Sequence, residues 1–128
     1  MKPQVFLYTR DREFGQLLEE VLSGTGAIVF VARTVTDALQ IVCQRGRELA
    51  FALMDFDGGC QGMTLLKAVH TCYEQLPIFV TTSEDAVHAT AIAYANGARS
   101  CFTKPRHASV LTAAIGDLNA THYQLVAA

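Results

Sequence analysis

Five short apolar runs punctuate the chain, at residues 5–8, 27–32, 50–54, 77–82 and 100–103. Apolar and polar residues do not alternate within them. A strand with one wet face must alternate, so these runs read as strands buried on both faces, the mark of a parallel sheet covered by helices. Each run is followed by apolar residues at helical spacing. The first stripe is Phe14, Leu17, Leu18, Val21 and Leu22, and the second is Val35, Ala38, Leu39, Val42 and Cys43. The third is Leu66, Val69, His70 and Tyr73, and the fourth is Val87, Thr90, Ala91, Tyr94 and Ala95. Leu111, Ala114, Ile115 and Leu118 form the fifth. An apolar stripe needs a core to face, and the sheet supplies one.

The punctuation agrees with this pattern. Thr34 with Asp37 three residues on is a helix start, and Gly24, Gly26 and Asn96-Gly97 are helix ends. No proline-rich or serine-rich linker divides the chain. The expected architecture is therefore α/β: a (βα)5, doubly wound, five-stranded parallel sheet. It occupies one domain over residues 1–122, followed by a tail over 123–128.

Composition narrows the function. The chain has 128 residues, 51% of them hydrophobic and 17% charged, which excludes a disordered segment. Ten Lys and Arg stand against twelve Asp and Glu, for a net charge of −2. Bulk electrostatic binding of a nucleic-acid backbone is not expected from that balance. Neither a membrane span nor a signal peptide is visible, so the expected location is cytoplasmic. Cys43, Cys60, Cys72 and Cys101 form no Cys-x-x-Cys pair, and His70 and His88 complete no metal-ligand spacing. The cysteines read as buried reduced thiols, except Cys60 in its glycine-rich loop. Gly58, Gly59 and Gly62 lack the endings of phosphate-binding loops and read as a tight turn.

In a doubly wound sheet the functional groove lies at the carboxyl ends of the strands. The residues there are Thr9-Arg10-Asp11, then Asp55, then Thr82-Ser83, then Lys104-Pro105. Asp55, Thr82 and Lys104 should therefore converge. A carboxylate, a hydroxyl and an ammonium suit acceptance of a phosphoryl group: the carboxylate attacks in line while the other two stabilise charge on the transferred oxygens.

The chain here resembles the receiver domains of two-component response regulators. The matching pieces are Ala52-Leu53-Met54-Asp55, the run Leu76-Pro77-Ile78-Phe79-Val80-Thr81-Thr82-Ser83, Gly97-Ala98, and Phe102-Thr103-Lys104-Pro105. The entry to the second helix, Ala32-Arg33-Thr34-Val35-Thr36-Asp37-Ala38-Leu39, is also similar. The resemblance implies strand order 2-1-3-4-5 in a flavodoxin-like fold. It makes Asp55 the phosphoacceptor, Thr82 the switch hydroxyl and Lys104 the phosphoryl contact. It implies Mg2+ as cofactor and a sensor histidine kinase or phosphotransfer protein as donor. A downstream effector or a second copy would dock on the face formed by helix four, strand five and helix five. Such a domain is a phosphoacceptor, not an enzyme, with at most self-catalysed phosphoryl transfer.

Several positions depart from the family pattern. The two adjacent acids that hold Mg2+ after strand one are Thr9 and Arg10 here, with Asp11 one place late. The aromatic switch residue is Cys101, and the loop after Asp55 is one residue short. A unit charge about 4 Å away is worth about 4 kcal/mol at an effective dielectric of 20, and a divalent ion doubles that. The whole of millimolar binding is only about 4 kcal/mol. Replacing two carboxylates by a hydroxyl and a guanidinium therefore predicts a weak or absent Mg2+ site, with Asp11, Asp55 and Asp57 as its remaining ligands. The alternative occupant is Arg10 itself, paired with Asp55. Beside phosphoryl acceptance on Asp55, two further functions remain open: a degenerate receiver used for docking or dimerisation, and a flavodoxin-like small-molecule binder.

Overall fold

The computed structural model describes residues 2–56, 60–82 and 87–103, apart from the side chains of 60, 61, 87–89 and 102. The order of elements is β1 (Gln4–Tyr8), α1 (Arg12–Gly24), β2 (Ile28–Ala32), α2 (Val35–Arg45), β3 (Leu49–Asp55), α3 (Cys60–Cys72), β4 (Ile78–Thr82), α4 (Val87–Ala95) and β5 (Ser100–Thr103). The strands form one sheet in the order β2-β1-β3-β4-β5. Every neighbouring pair is parallel. The expected fifth helix and the tail from residue 123 fall outside the described residues.

The continuous apolar runs are explained by two cores, one on each face of the sheet. Val5, Leu7, Phe51, Leu53 and Phe79 pack under Phe14, Leu18 and Leu22 of α1. Phe6, Tyr8, Ala52, Met54, Ile78 and Val80 point the other way, into a core with Ala38 and Val42 of α2, Leu65, Leu66 and Val69 of α3, and Ala93 of α4. Successive side chains alternate between faces, so a strand covered on both sides must be apolar throughout. Phe51 and Phe79 meet edge to face across β3 and β4, with ring centroids 5.7 Å apart.

Local chemistry sets the helix ends. Asp11 caps α1, its side chain accepting from the Phe14 N–H, and Thr34 caps α2 by accepting from Asp37 N–H. Gly26 and Gly97 take positive φ, at 89° and 110°, just past the ends of α1 and α4.

Some side chains do not face where the stripes place them. Leu39 is 40% exposed and Cys43 is exposed, because α2 turns Ala38, Val42 and Ile41 toward the sheet. Cys72 is exposed as well and Cys101 is half-buried, so the cysteines are not the buried thiols expected. Cys60's side chain lies outside the described residues. Among the described side chains of α4 the buried one is Ala93, while Ala91, Tyr94 and Ala95 are exposed. A helix made of small apolar residues has little contrast between its faces, so spacing alone misassigns the buried one.

Gly97 illustrates how tightly the α4–β5 turn is packed. A Cβ there would fall 2.3 Å from Cγ of His70 on α3, on a backbone that L side chains avoid. Gly97→Ala should destabilise the protein by about 2–4 kcal/mol, combining a left-handed backbone with overpacking. Urea denaturation measures this directly, and a change within 0.5 kcal/mol, the ~0.5 kcal/mol scatter of neutral surface changes, would refute it.

Candidate functional site

Alternation along the strands and register across them place three residues in one row. Val5 and Leu7 of β1, Phe51 and Leu53 of β3, and Phe79 of β4 all face α1. Two residues further, the same face carries Thr9, Asp55 and Thr81. Leu7 is in register with Leu53, and Asp55 with Thr81. The apolar face thus ends in three polar residues side by side at the carboxyl edge of the central strands.

Asp55 is 4% exposed, and Thr9 and Thr81 are both fully buried. The Thr9 hydroxyl donates to Oδ2 of Asp55 at 2.7 Å. The Thr81 hydroxyl donates to Oδ1 at 3.3 Å. Each carboxylate oxygen therefore has a hydroxyl donor, which a buried carboxylate requires. Thr9 Oγ1 in turn accepts from the Asp11 N–H at 3.1 Å. Its methyl group faces α1, where a Cβ on Gly15 would lie 3.0 Å from Thr9 Cγ2. Gly15 gives this buried threonine its room.

Asp11, expected as a stand-in metal ligand, uses Oδ1 to accept from the Phe14 N–H at 3.1 Å. Thr82, expected as the switch hydroxyl, is 8% exposed. By alternation it continues the opposite face of β4, beyond Ile78 and Val80. Cys101 accepts from the Thr90 hydroxyl at 3.7 Å, tying α4 to β5 at the position where the family pattern has an aromatic ring. Lys104 and Asp57 lie outside the described residues, as do Ser83, Glu84 and Pro105. Thr81 was missed in the sequence because β propensity alone explains a strand threonine. The signal that marks it is its in-register placement beside Asp55.

Arg10 is exposed and lines a cleft of about 530 Å³ together with Arg33, Thr34, Val35, Thr36 and Thr64. Among the described residues, no three His, Cys, Asp or Glu side chains are grouped so as to hold a metal ion. No described helix is long and apolar enough to cross a membrane.

The model of the response regulator receiver domain matches residues 8–116. The chain belongs to this family. Receiver domains are signalling domains of two-component systems, and they typically interact with histidine kinases and effector domains. They commonly bind Mg2+ at an acidic site. Solved structures of the same fold include a receiver domain from Clostridium thermocellum, 18% identical with a TM-score of 0.80, covering 96% of this chain and 98% of that one. A putative response regulator from Chloroflexus aurantiacus is 24% identical with a TM-score of 0.79, covering 94% and 99%. The Mn2+-bound form of the response regulator Rcp1 is 16% identical with a TM-score of 0.74, covering 87% and 90%. No curated protein matches the sequence.

The Thr9–Asp55 bond has a measurable consequence. Thr9→Val keeps the shape but removes the hydroxyl that donates to Oδ2 of Asp55 and accepts from the Asp11 N–H. It should cost about 1–3 kcal/mol of stability, the penalty of leaving buried polar groups unpaired. In a double-mutant cycle with Asp55→Ala, the coupling in urea denaturation should be about 1.5–3 kcal/mol, as for a hydrogen bond to a charged group. Additivity of the two substitutions would show that the bond contributes nothing.

Proposed function

We propose that this receiver works without phosphorylation of Asp55, as a docking module of a two-component pathway. The observation that carries the reading is the short bond from Thr9 to Asp55. Thr9 takes the place of the first metal-binding acid of the family pattern. Instead of sharing a cation with Asp55, it donates a hydrogen bond directly to Asp55's oxygen. The hydroxyl pair from Thr9 and Thr81 solvates the carboxylate internally, and a carboxylate held in this way is a poorer ligand and nucleophile.

The donor set suits Mg2+ badly. That ion wants oxygen ligands in octahedral array and is usually held by one or two carboxylates. Here Thr9 and Arg10 replace the acid pair, and Asp11's Oδ1 is committed to the α1 cap. Exchanging a carboxylate for a guanidinium reverses a charge that is worth about 4 kcal/mol per unit at 4 Å and a dielectric of 20.

Output would pass through the exposed side of α4. Ile92 and Tyr94 are 48% and 49% exposed there. Thr90, on the same helix, is bonded to Cys101 of β5. With a small thiol at 101 there is no ring to swing between inward and outward positions, so the face is held in one arrangement. An effector, a sensor kinase or a second copy of the chain would recognise that fixed face.

Intact mass after incubation with acetyl phosphate and Mg2+ tests the reading, beside Asp55→Asn as control. No added phosphoryl group is expected under conditions that label an ordinary receiver. One phosphoryl group, absent from the control, would overturn the proposal and make Asp55 a working phosphoacceptor. The double variant Thr9→Asp/Arg10→Asp should gain Mg2+ binding near ~1 mM, the ~4 kcal/mol scale of a simple cation site. Mg2+ binding equally tight in the unaltered protein would refute the argument from the donor set.

A further inference from the structure

Among the described residues, the one strand neighbour of β2 is β1, so β2 is an edge of the sheet. Two hydrogen bonds fix which way its backbone groups point. The Ile28 N–H donates to the Pro3 carbonyl at 2.8 Å, and the Ala32 carbonyl accepts from the Thr9 N–H at 3.1 Å. Backbone groups of successive strand residues point to opposite sides, so Ile28, Phe30 and Ala32 bond toward β1. Val29 and Val31 therefore aim their N–H and C=O groups outward. Such an edge is a template for another strand, and proteins guard it with charges, proline or a bulge. The run Ala27–Ala32 holds no charge and no proline, and β1 pairs with β2 residue for residue. Ile28 is 43% exposed, and Val29, Phe30 and Val31 are half-buried.

The outward groups select the strand that fits them. Placed antiparallel, Val29 of one copy exchanges both backbone bonds with Val31 of another, and Val31 does so with Val29. All the outward groups of the two valines are then paired. Phe30 meets its own equivalent as a close pair with Cα atoms about 4.5 Å apart. A shift of two residues is worse in either direction. One shift sets a valine against Ala27, whose N–H already donates to the Leu22 carbonyl, and the other sets one against Arg33, beyond the strand.

Charge agrees with this register. β2 and β3 run the same way, so α2 returns antiparallel to β2. Its last turn carries Arg45, whose guanidinium lies 4.4 Å from the centroid of the Phe30 ring. Its first turn carries Asp37, toward the other end of β2, and Asp37 is exposed. An antiparallel seam sets the last turn of each α2 beside the first turn of the other. Arg45 of one copy then comes beside Asp37 of the second, twice over, and the helix ends are opposed in sign as well. The pairing also closes. A symmetric pair uses up both β2 edges and stops, whereas β2 set against β5 would leave an edge free and propagate.

We propose that two copies of this chain associate through β2, joining their sheets into one continuous sheet about a two-fold axis at Phe30. The association is independent of the chemistry of Asp55. It leaves α4, which packs on β5 at the opposite edge, uncovered.

Sedimentation equilibrium of the full chain is the test. A monomer–dimer equilibrium is expected, with no higher species. Ile28→Lys puts a charge into the seam at a side chain that is already exposed, and should weaken dimerisation about tenfold or more with an unchanged circular dichroism spectrum. Asp37→Arg and Arg45→Asp should each weaken it when alone. Mixing those two variants should restore the dimer, because every pair across the seam is again opposite in sign. A merely misfolded variant would not be rescued in this way. A chain that stays monomeric at ~1 mM, the weak end of the affinity range, overturns the proposal. So does growth beyond the dimer, or a mixture that fails to recover it. A dimer lost on Ile92→Lys but kept on Ile28→Lys would place the contact on α4 and overturn it as well.

Discussion

A buried carboxylate at the end of the central strand is the constraint around which this molecule is arranged. Asp55 is almost wholly removed from water. Left alone, its charge would cost several kcal/mol. In the family pattern, acidic neighbours and a divalent cation meet that cost together. Here the hydroxyls of Thr9 and Thr81 meet it from the two strands flanking β3. That solution constrains the surroundings. Thr9 must be buried, so α1 passes it with Gly15. Its Oγ1 accepts from the Asp11 N–H, and Asp11 then caps the helix. One substitution at the end of β1 thus links the site, the β1–α1 connection and the start of α1.

The fold was largely legible because its signal is redundant. Apolar runs too continuous for a half-wet sheet, each followed by a helical stripe, leave few architectures besides a covered parallel sheet. The family resemblance then ordered the strands, and the sheet has that order. The stripes were less reliable where helices are short or uniformly small. Cys43 and Leu39 sit at core-like spacing on α2 yet face solvent, and α4 buries Ala93 in preference to its neighbours. Periodicity reports a preferred face only when the other face is distinctly polar.

The site was legible in part. Asp55 follows from its place at the strand end, and the loss of the acid pair follows from Thr9 and Arg10. The direct bond between Thr9 and Asp55 did not, because a sequence shows a missing ligand more readily than a new partner. Hydroxyls of Thr9 and Thr81 each bond one oxygen of Asp55, and Arg10 is exposed and lines the cleft beside Arg33. Within its own strand Thr81 carries no mark, because β propensity accounts for a threonine there. Only register across strands brings it beside Asp55.

Two changes at adjacent positions therefore act together. Thr9 faces inward and satisfies the carboxylate without a cation, which removes the reason for an acidic mouth. Arg10 is exposed and puts a guanidinium where the family pattern has the second acid. A receiver mouth that attracts a divalent cation must be negative, and a guanidinium in place of a carboxylate at position 10 works against that. The change at position 9 would have been costly while position 10 still held an acid, because two carboxylates close together without a cation repel each other. The two substitutions are thus physically coupled. Reversing only one of them, Thr9→Asp with Arg10 retained, leaves the added acid beside a fixed guanidinium and without its partner carboxylate. Recovering a cation site requires both.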